Sequence, residues 1–222
     1  SRKRKNNGCA LELKYGTWKI SSYEPADARA LCAAGFSPIT AALLCSRGYR
    51  DAGAAREFLS CSYPLSSPFA LLDMDKAAAR VKQALSRREH IAVFGDYDVD
   101  GITATCLLTE YLRSKGGHVT SYIPARLEEG YGLNPIAIDT LKKQGVELIV
   151  TVDCGITANH EATLCRELGI DLVITDHHEC KSELPQAIAL VDPHRKDQPQ
   201  PVTEMAGVGV AFKLAAAIEG EQ

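Results

Sequence analysis

The sequence predicts an α/β fold: a parallel β-sheet flanked by helices, preceded by a helical N-terminal segment. Three observations point there. From His90 onward, short runs apolar on both faces recur at 91–94, 119–123, 148–152, 172–175 and 187–191. Amphipathic stretches near 103–115, 134–144 and 157–168 separate them, as helices separate the strands of a sheet covered on both sides. The spacing, roughly 20–30 residues per unit, suits right-handed βαβ crossovers.

Residues 1–26 form a basic and polar lead-in, expected to be partly disordered, with one short strand near 16–20. Residues 27–88 are rich in Ala, Leu and Arg at helical spacing and make up the helical N-terminal segment. Its best helix is 73–85, with Asp73 or Asp75 as the cap and Ala77, Val81 and Leu85 on one face. An irregular connector, 61–68, interrupts the segment. The sheet domain is expected over 89–222, its last helix over 205–218.

Of the 222 residues, 45% are hydrophobic and 24% charged, which excludes intrinsic disorder and collagen-like repeats. No apolar run approaches the roughly 20 residues of a membrane helix, so no membrane partner is expected. The basic start leads into no signal-peptide core. Eight cysteines (Cys9, Cys32, Cys45, Cys61, Cys106, Cys154, Cys165 and Cys180) include no C-x-x-C pair and read as reduced thiols of a cytoplasmic protein. A net charge of −3 is unlike a protein that grips nucleic acid by broad electrostatics. A polyanionic substrate would need local contacts or bridging metal ions.

Three of the predicted strands run straight into acids. The first leads to Gly95-Asp96-Tyr97-Asp98-Val99-Asp100-Gly101, the third to Asp153-Cys154-Gly155, the fourth to Asp176-His177-His178. Ligands of an open parallel sheet bind outside the carboxyl ends of its strands, so these side chains are expected to converge on one edge. Crowded carboxylates raise one another's pKa values unless cations sit among them. Oxygen donors with one or two imidazoles suit Mn²⁺ or Mg²⁺. Two such ions roughly 4 Å apart activate a water and clamp a phosphoryl group. Bridging ions also let a protein that is not basic recruit a phosphate. An EF-hand loop is excluded, because Leu107 stands where that loop requires Glu. Taken singly, Asp153 reads as a cap or turn residue and His177-His178 as a surface or packed pair. On successive strand ends, the three features together read as a metal site.

These motifs are joined by Ile123-Pro124-Ala125-Arg126-Leu127-Glu128-Glu129-Gly130-Tyr131-Gly132-Leu133 and by Ala206-Gly207-Val208-Gly209-Val210-Ala211-Phe212. Together they resemble the DHH phosphoesterase superfamily, and within it the RecJ-type single-stranded-DNA-specific exonucleases. The likeness covers roughly 30–218, including Pro68-Phe69-Ala70-Leu71-Leu72-Asp73-Met74 in the lead-in. It implies a DHH-type, Rossmann-like sheet and a two-metal hydrolase dependent on Mn²⁺ or Mg²⁺. Such an enzyme removes mononucleotides from the 5′ end of single-stranded DNA in repair and recombination. A single-stranded-DNA-binding protein and a helicase are the implied protein partners.

Carried over by motif, the resemblance implies Asp96, Asp98, Asp153, Asp176 and His177 as metal residues. It implies Asp98, Asp100, Asp153, His177 and His178 as catalytic ones, with Asp98, Asp153 and His177 the strongest ligand matches. Asp100 alternatively caps the following helix, and His178 contacts the scissile phosphate. Arg126 matches a phosphate-gripping position, the alternative being a surface salt bridge to Glu128 or Glu129. Gly207 and Gly209 lack the third glycine of a dinucleotide fingerprint. They either offer backbone N–H groups to a phosphate or let the helix pack close.

The family pattern continues past this last helix, to a further acidic metal ligand and a second domain. The chain is therefore expected to be an N-terminal catalytic lobe, truncated before both and weak or inactive as a nuclease by itself. Two rivals stand beside this reading: another DHH phosphoesterase acting on oligonucleotides or cyclic dinucleotides, and a catalytically inactive scaffold on the same fold. The acids and both histidines favour an enzyme. The pyrophosphatase branch opens its first motif with a histidine where Asp96 stands.

Overall fold

The computed structural model describes residues 11–13, 16–18, 21–60, 65–125, 132–199 and 205–220. They divide into two compact units, Ser1–Leu65 and Ser66–Gln222. In the first unit, β1 (Leu11–Leu13) pairs antiparallel with β2 (Gly16–Trp18). Strand β2 is the start of the expected strand, whose Lys19 and Ile20 lie outside the described residues, as does the basic start. Its partner β1 was not expected, since three residues are too few to display a period. Helices α1 (Pro25–Ala33), α2 (Pro38–Ser46) and α3 (Ala52–Ser60) follow. Each of the first two starts on a proline, and the Ser37 hydroxyl accepts the Thr40 N–H to cap α2. Leu31, Ala41, Leu44, Cys45 and Ala55 form the core of this unit.

The second unit holds α4 (Met74–Arg87), β3 (His90–Gly95), α5 (Val99–Ser114), β4 (His118–Tyr122) and α6 (Pro135–Lys143). It continues with β5 (Leu148–Val152), α7 (Asn159–Glu167), β6 (Asp171–Thr175), β7 (Ala189–Val191) and α8 (Gly207–Glu219). The five strands β3–β7 pair in parallel throughout, in the order β4-β3-β5-β6-β7. Alternate residues face opposite layers. Ile91, Val93, Leu148 and Val150 join the core under α4, α5 and α8, while Ala92, Phe94 and Ile149 join the core under α6 and α7. Both faces are therefore apolar, as the sequence runs require, and each large side chain buried contributes about 1.5–3 kcal/mol.

The sequence groups 73–85 with the N-terminal helices, but the boundary between compact units falls after Leu65. Helix α4 packs Ala77, Val81 and Ala84 into the core of the sheet. Periodicity locates the apolar face of a helix without naming what covers it. Asp73 stands at the cap position of α4 with a left-handed φ of 61° but makes no capping bond. Its carboxylate pairs instead with Lys76 Nζ at 2.5 Å and Arg195 Nη1 at 2.6 Å.

After β3 the chain crosses to β4 on one side and then to β5 on the other. That reversal opens a crevice between the carboxyl ends of β3 and β5, the usual ligand position in such sheets. Among the described residues no helix is long and apolar enough to cross a membrane, and Cys32, Cys45, Cys106, Cys154, Cys165 and Cys180 are free thiols.

Candidate metal centre

The sequence-predicted acids meet at this crevice. Asp96, buried, leaves β3 directly, and Asp98 caps α5 by accepting the Gly101 N–H at 3.0 Å. Helix α5 thus begins four residues before its expected start, inside the acidic motif. A Cβ at Gly101 would lie 2.5 Å from the Asp96 carbonyl oxygen, so only glycine lets the first turn of the helix sit this close. Asp153 follows β5 and Asp176 follows β6.

Ligand atoms of Asp96, Asp98 and Asp153 lie within 4.8 Å of one another, and so do those of Asp153, His177 and His178. Asp153 belongs to both groups. It is 1% exposed and has a left-handed φ of 61°, a strained backbone of the kind found at functional sites. Its Oδ1 lies 3.0 Å from His177 Nε2, yet takes no well-directed hydrogen bond from any described donor. Burial pushes the Asp153 carboxyl up to about 7, and the charges of Asp100 and Asp98 add to the shift. A buried oxygen without a donor, facing carboxylates and an imidazole, fits a hard divalent cation, which would supply the missing positive charge.

Asp176 belongs to neither ligand group among the described residues. Its Oδ2 accepts the Ile156 N–H at 2.9 Å, and its Oδ1 accepts the His177 and His178 N–H groups at 2.7 and 3.2 Å. The same Oδ1 lies 2.7 Å from His178 Nδ1. Burial alone would raise this carboxyl, but the His178 side chain and these amides hold it below its usual range. The bond to Asp176 in turn pushes His178 up to about 9. Both oxygens of Asp176 are engaged by these donors, and three of the donors belong to the histidines that follow it.

Asp100 caps a helix, but not the one that follows it. Its two oxygens accept the Gly207 and Val208 N–H groups at 2.7 and 2.8 Å, tying the start of α8 to the site, while His177 Nε2 lies 3.5 Å away. The Gly209 N–H donates to the Ala206 carbonyl at 2.8 Å. Both glycine amides are therefore engaged inside the protein, and the phosphate-cradle reading of Gly207 and Gly209 gives way to close packing. A Cβ at Gly207 would stand 2.6 Å from both Cβ and Cγ of Asp153. Arg126 lies outside the described residues.

One acid was missed. Asp192 follows β7 and is fully buried, so a fourth strand end also carries a carboxylate. The rule that found Asp96, Asp153 and Asp176 would have found it, but Asp192-Pro193-His194 reads locally as a turn.

Residues 90–222 match the DHH family, N-terminal domain. The chain is 47% identical over 186 residues to the single-stranded-DNA-specific exonuclease RecJ of Bacillus subtilis, covering 83% of this chain and 24% of that protein. It is 37% identical over 194 residues to RecJ of Salmonella typhimurium, covering 87% of this chain and 33% of that one. The chain thus spans 24% and 33% of the length of these two relatives. Among solved structures, exonuclease RecJ bound to manganese aligns with a TM-score of 0.65 at 36% identity, over 72% of this chain and 41% of that one. RecJ in complex with Mn²⁺ from Thermus thermophilus aligns with a TM-score of 0.67 at 30% identity, over 90% and 28%.

Proposed function

Because the chain belongs to the DHH family, we propose that it carries the N-terminal catalytic lobe of a divalent-metal phosphodiesterase that removes nucleotides from the 5′ end of single-stranded DNA. The observation that carries this reading is the pair of ligand groups sharing the buried Asp153. Asp96 and Asp98 would hold one ion with Asp153, and His177 and His178 the other. Divalent ions held there would supply an activated water and positive charge against a phosphate.

The protein's own groups do the rest. Asp176 fixes the histidine loop through four donors, in the carboxylate–histidine arrangement that orients metal ligands. Asp100 draws the start of α8 against the site. His178 is the more exposed imidazole, with 46% of its side chain open against 27% for His177, and forms the solvent-facing side of the second ligand group. The relatives' names supply the substrate, single-stranded DNA. A role in DNA repair and recombination, a cytoplasmic location, and a single-stranded-DNA-binding protein and a helicase as partners belong to the same reading.

The relatives are about three to four times as long as the shared region, so the activity is proposed for this lobe joined to the rest of such a protein. A chimera tests it, with this chain replacing the matched 186 residues of the Bacillus subtilis relative. The soluble chimera is expected to release mononucleotides from the 5′ end of single-stranded DNA with Mn²⁺, and its Asp153→Ala version to release none. Inertness of the unsubstituted chimera, or equal activity of the two, would overturn the proposal.

A further inference from the structure

Helix α5 leaves β3 inside the acidic motif and returns the chain to β4, so its first turn and the end of β4 share the carboxyl edge of the sheet with the metal centre. Most of that turn is engaged inside the protein. Asp98 caps the helix, Asp100 binds the start of α8, and Gly101 is buried against Asp96. Val99 stands between the two acids and is 78% exposed. Ile102, its neighbour one turn along the helix, is 47% exposed. Ile123 follows β4 at the same edge and is 40% exposed.

Folding gives little reason for these side chains. A β-branched residue is a poor helix former, and the first turn of a helix favours acids. Single exposed apolar residues are ordinary, but three at one edge, beside a ligand cluster, mark a binding surface. Charge narrows the choice of occupant. With a net charge of −3 the chain has no broad pull on phosphates. Ions at the metal centre would hold the phosphate of the reacting bond, which leaves the bases as the part of a single strand that an apolar surface can take. Every base has a π-face, and contact with it is tolerant of sequence.

We propose that Val99 and Ile102, with Ile123 beside them, form an apolar rest for the base of the 5′-terminal nucleotide, and so act as specificity-determining residues. The inference rests on the proposed function above and names the part of the substrate that this face takes.

The chimera described above tests it on two single strands of equal length, one ordinary and one whose first nucleosides at the 5′ end carry no base. Val99→Ser combined with Ile102→Ser is expected to lower kcat/KM on the ordinary strand about five-fold or more, and on the base-free strand less than about two-fold. The 222-residue chain with the same substitutions should keep the parent Tm and Mn²⁺ affinity, since both positions are exposed. An equal loss on both strands overturns the proposal and assigns the patch to packing against another part of the chimera. No loss on the ordinary strand overturns it as well, as does a loss of Mn²⁺ affinity. If the double variant does not fold, Val99→Thr, which keeps the shape of the side chain, is read by the same criterion. A parent chimera inert on the ordinary strand defeats the exonuclease reading itself, an outcome distinct from an active chimera indifferent to Val99 and Ile102.

Discussion

Arg80 and Asp153 are both buried ionisable side chains of the sheet unit, yet their surroundings differ in kind. Arg80 is answered on two sides, by Glu89 Oε2 and Asp171 Oδ2, each at 2.6 Å. Arg195 is likewise set between Asp73 and Asp197. Asp153 is surrounded by further acids and two imidazoles, with no lysine or arginine paired to it among the described residues. The fold that pairs these two arginines with carboxylates leaves the Asp153 carboxylate without a cation. Local violations of that sort mark functional sites, and the proposed metal centre supplies the missing partner, a cation from solution.

The comparison can be broken at either end. The largest expected effect is on the matched side. Arg80→Ala strands Glu89, whose next cation, Arg87, is 3.8 Å away, and should cost about 3–5 kcal/mol in urea unfolding. Mn²⁺ binding by the variant that remains folded should be unchanged. A neutral result would mean that the buried pair is not what separates the two regions.

Gly207→Ala puts a methyl group against the Asp153 carboxyl. It should cost about 1–3 kcal/mol and also weaken Mn²⁺, because Asp153 must move. Loss of stability with intact Mn²⁺ affinity would separate packing from the site. Asp98→Ala, measured by thermal unfolding in chelator, removes the α5 cap together with a charge that repels Asp153, and should cost no more than about 1 kcal/mol.

A further effect is a difference of sign with pH. The Asp153 carboxyl sits at about 7 in the fold against 3.8 as its ordinary value, so the metal-free chain loses stability as pH rises between those values. Asp153→Asn should therefore match the parent Tm near pH 4 and exceed it above pH 7 in chelator. Asp73 and Asp197 are held below their ordinary value; burial opposes this in Asp73, but the Lys76 and Arg195 contacts prevail, and in Asp197 the Arg195 bond leads. Their contribution is present above that value and is lost as pH falls below it. The Arg195→Ala chain should show a shallower acid limb in Tm against pH.

Much of this was legible in the sequence because it is local. Runs apolar on both faces fixed the strands and their parallel pairing. The acids immediately after three of those runs fixed the edge where the site lies. What stayed hidden is long-range. Nothing near Asp100 announces that it caps a helix more than a hundred residues away. Nothing in the periodicity of α4 says that its apolar face joins the core of the sheet. The motif also names Asp176 beside its histidines without revealing that four donors already occupy its oxygens. Which carboxylate is left open to an ion and which is already engaged is decided by hydrogen bonds, not by spacing.

The central claim is that Asp96, Asp98, Asp153, His177 and His178 form one divalent-cation site. Calorimetric titration of Mn²⁺ into the parent chain and into Asp153→Ala at neutral pH tests it most directly. Saturable binding by the parent and its loss in the variant is the result expected. Identical isotherms, or no binding by a folded parent chain, would contradict the account.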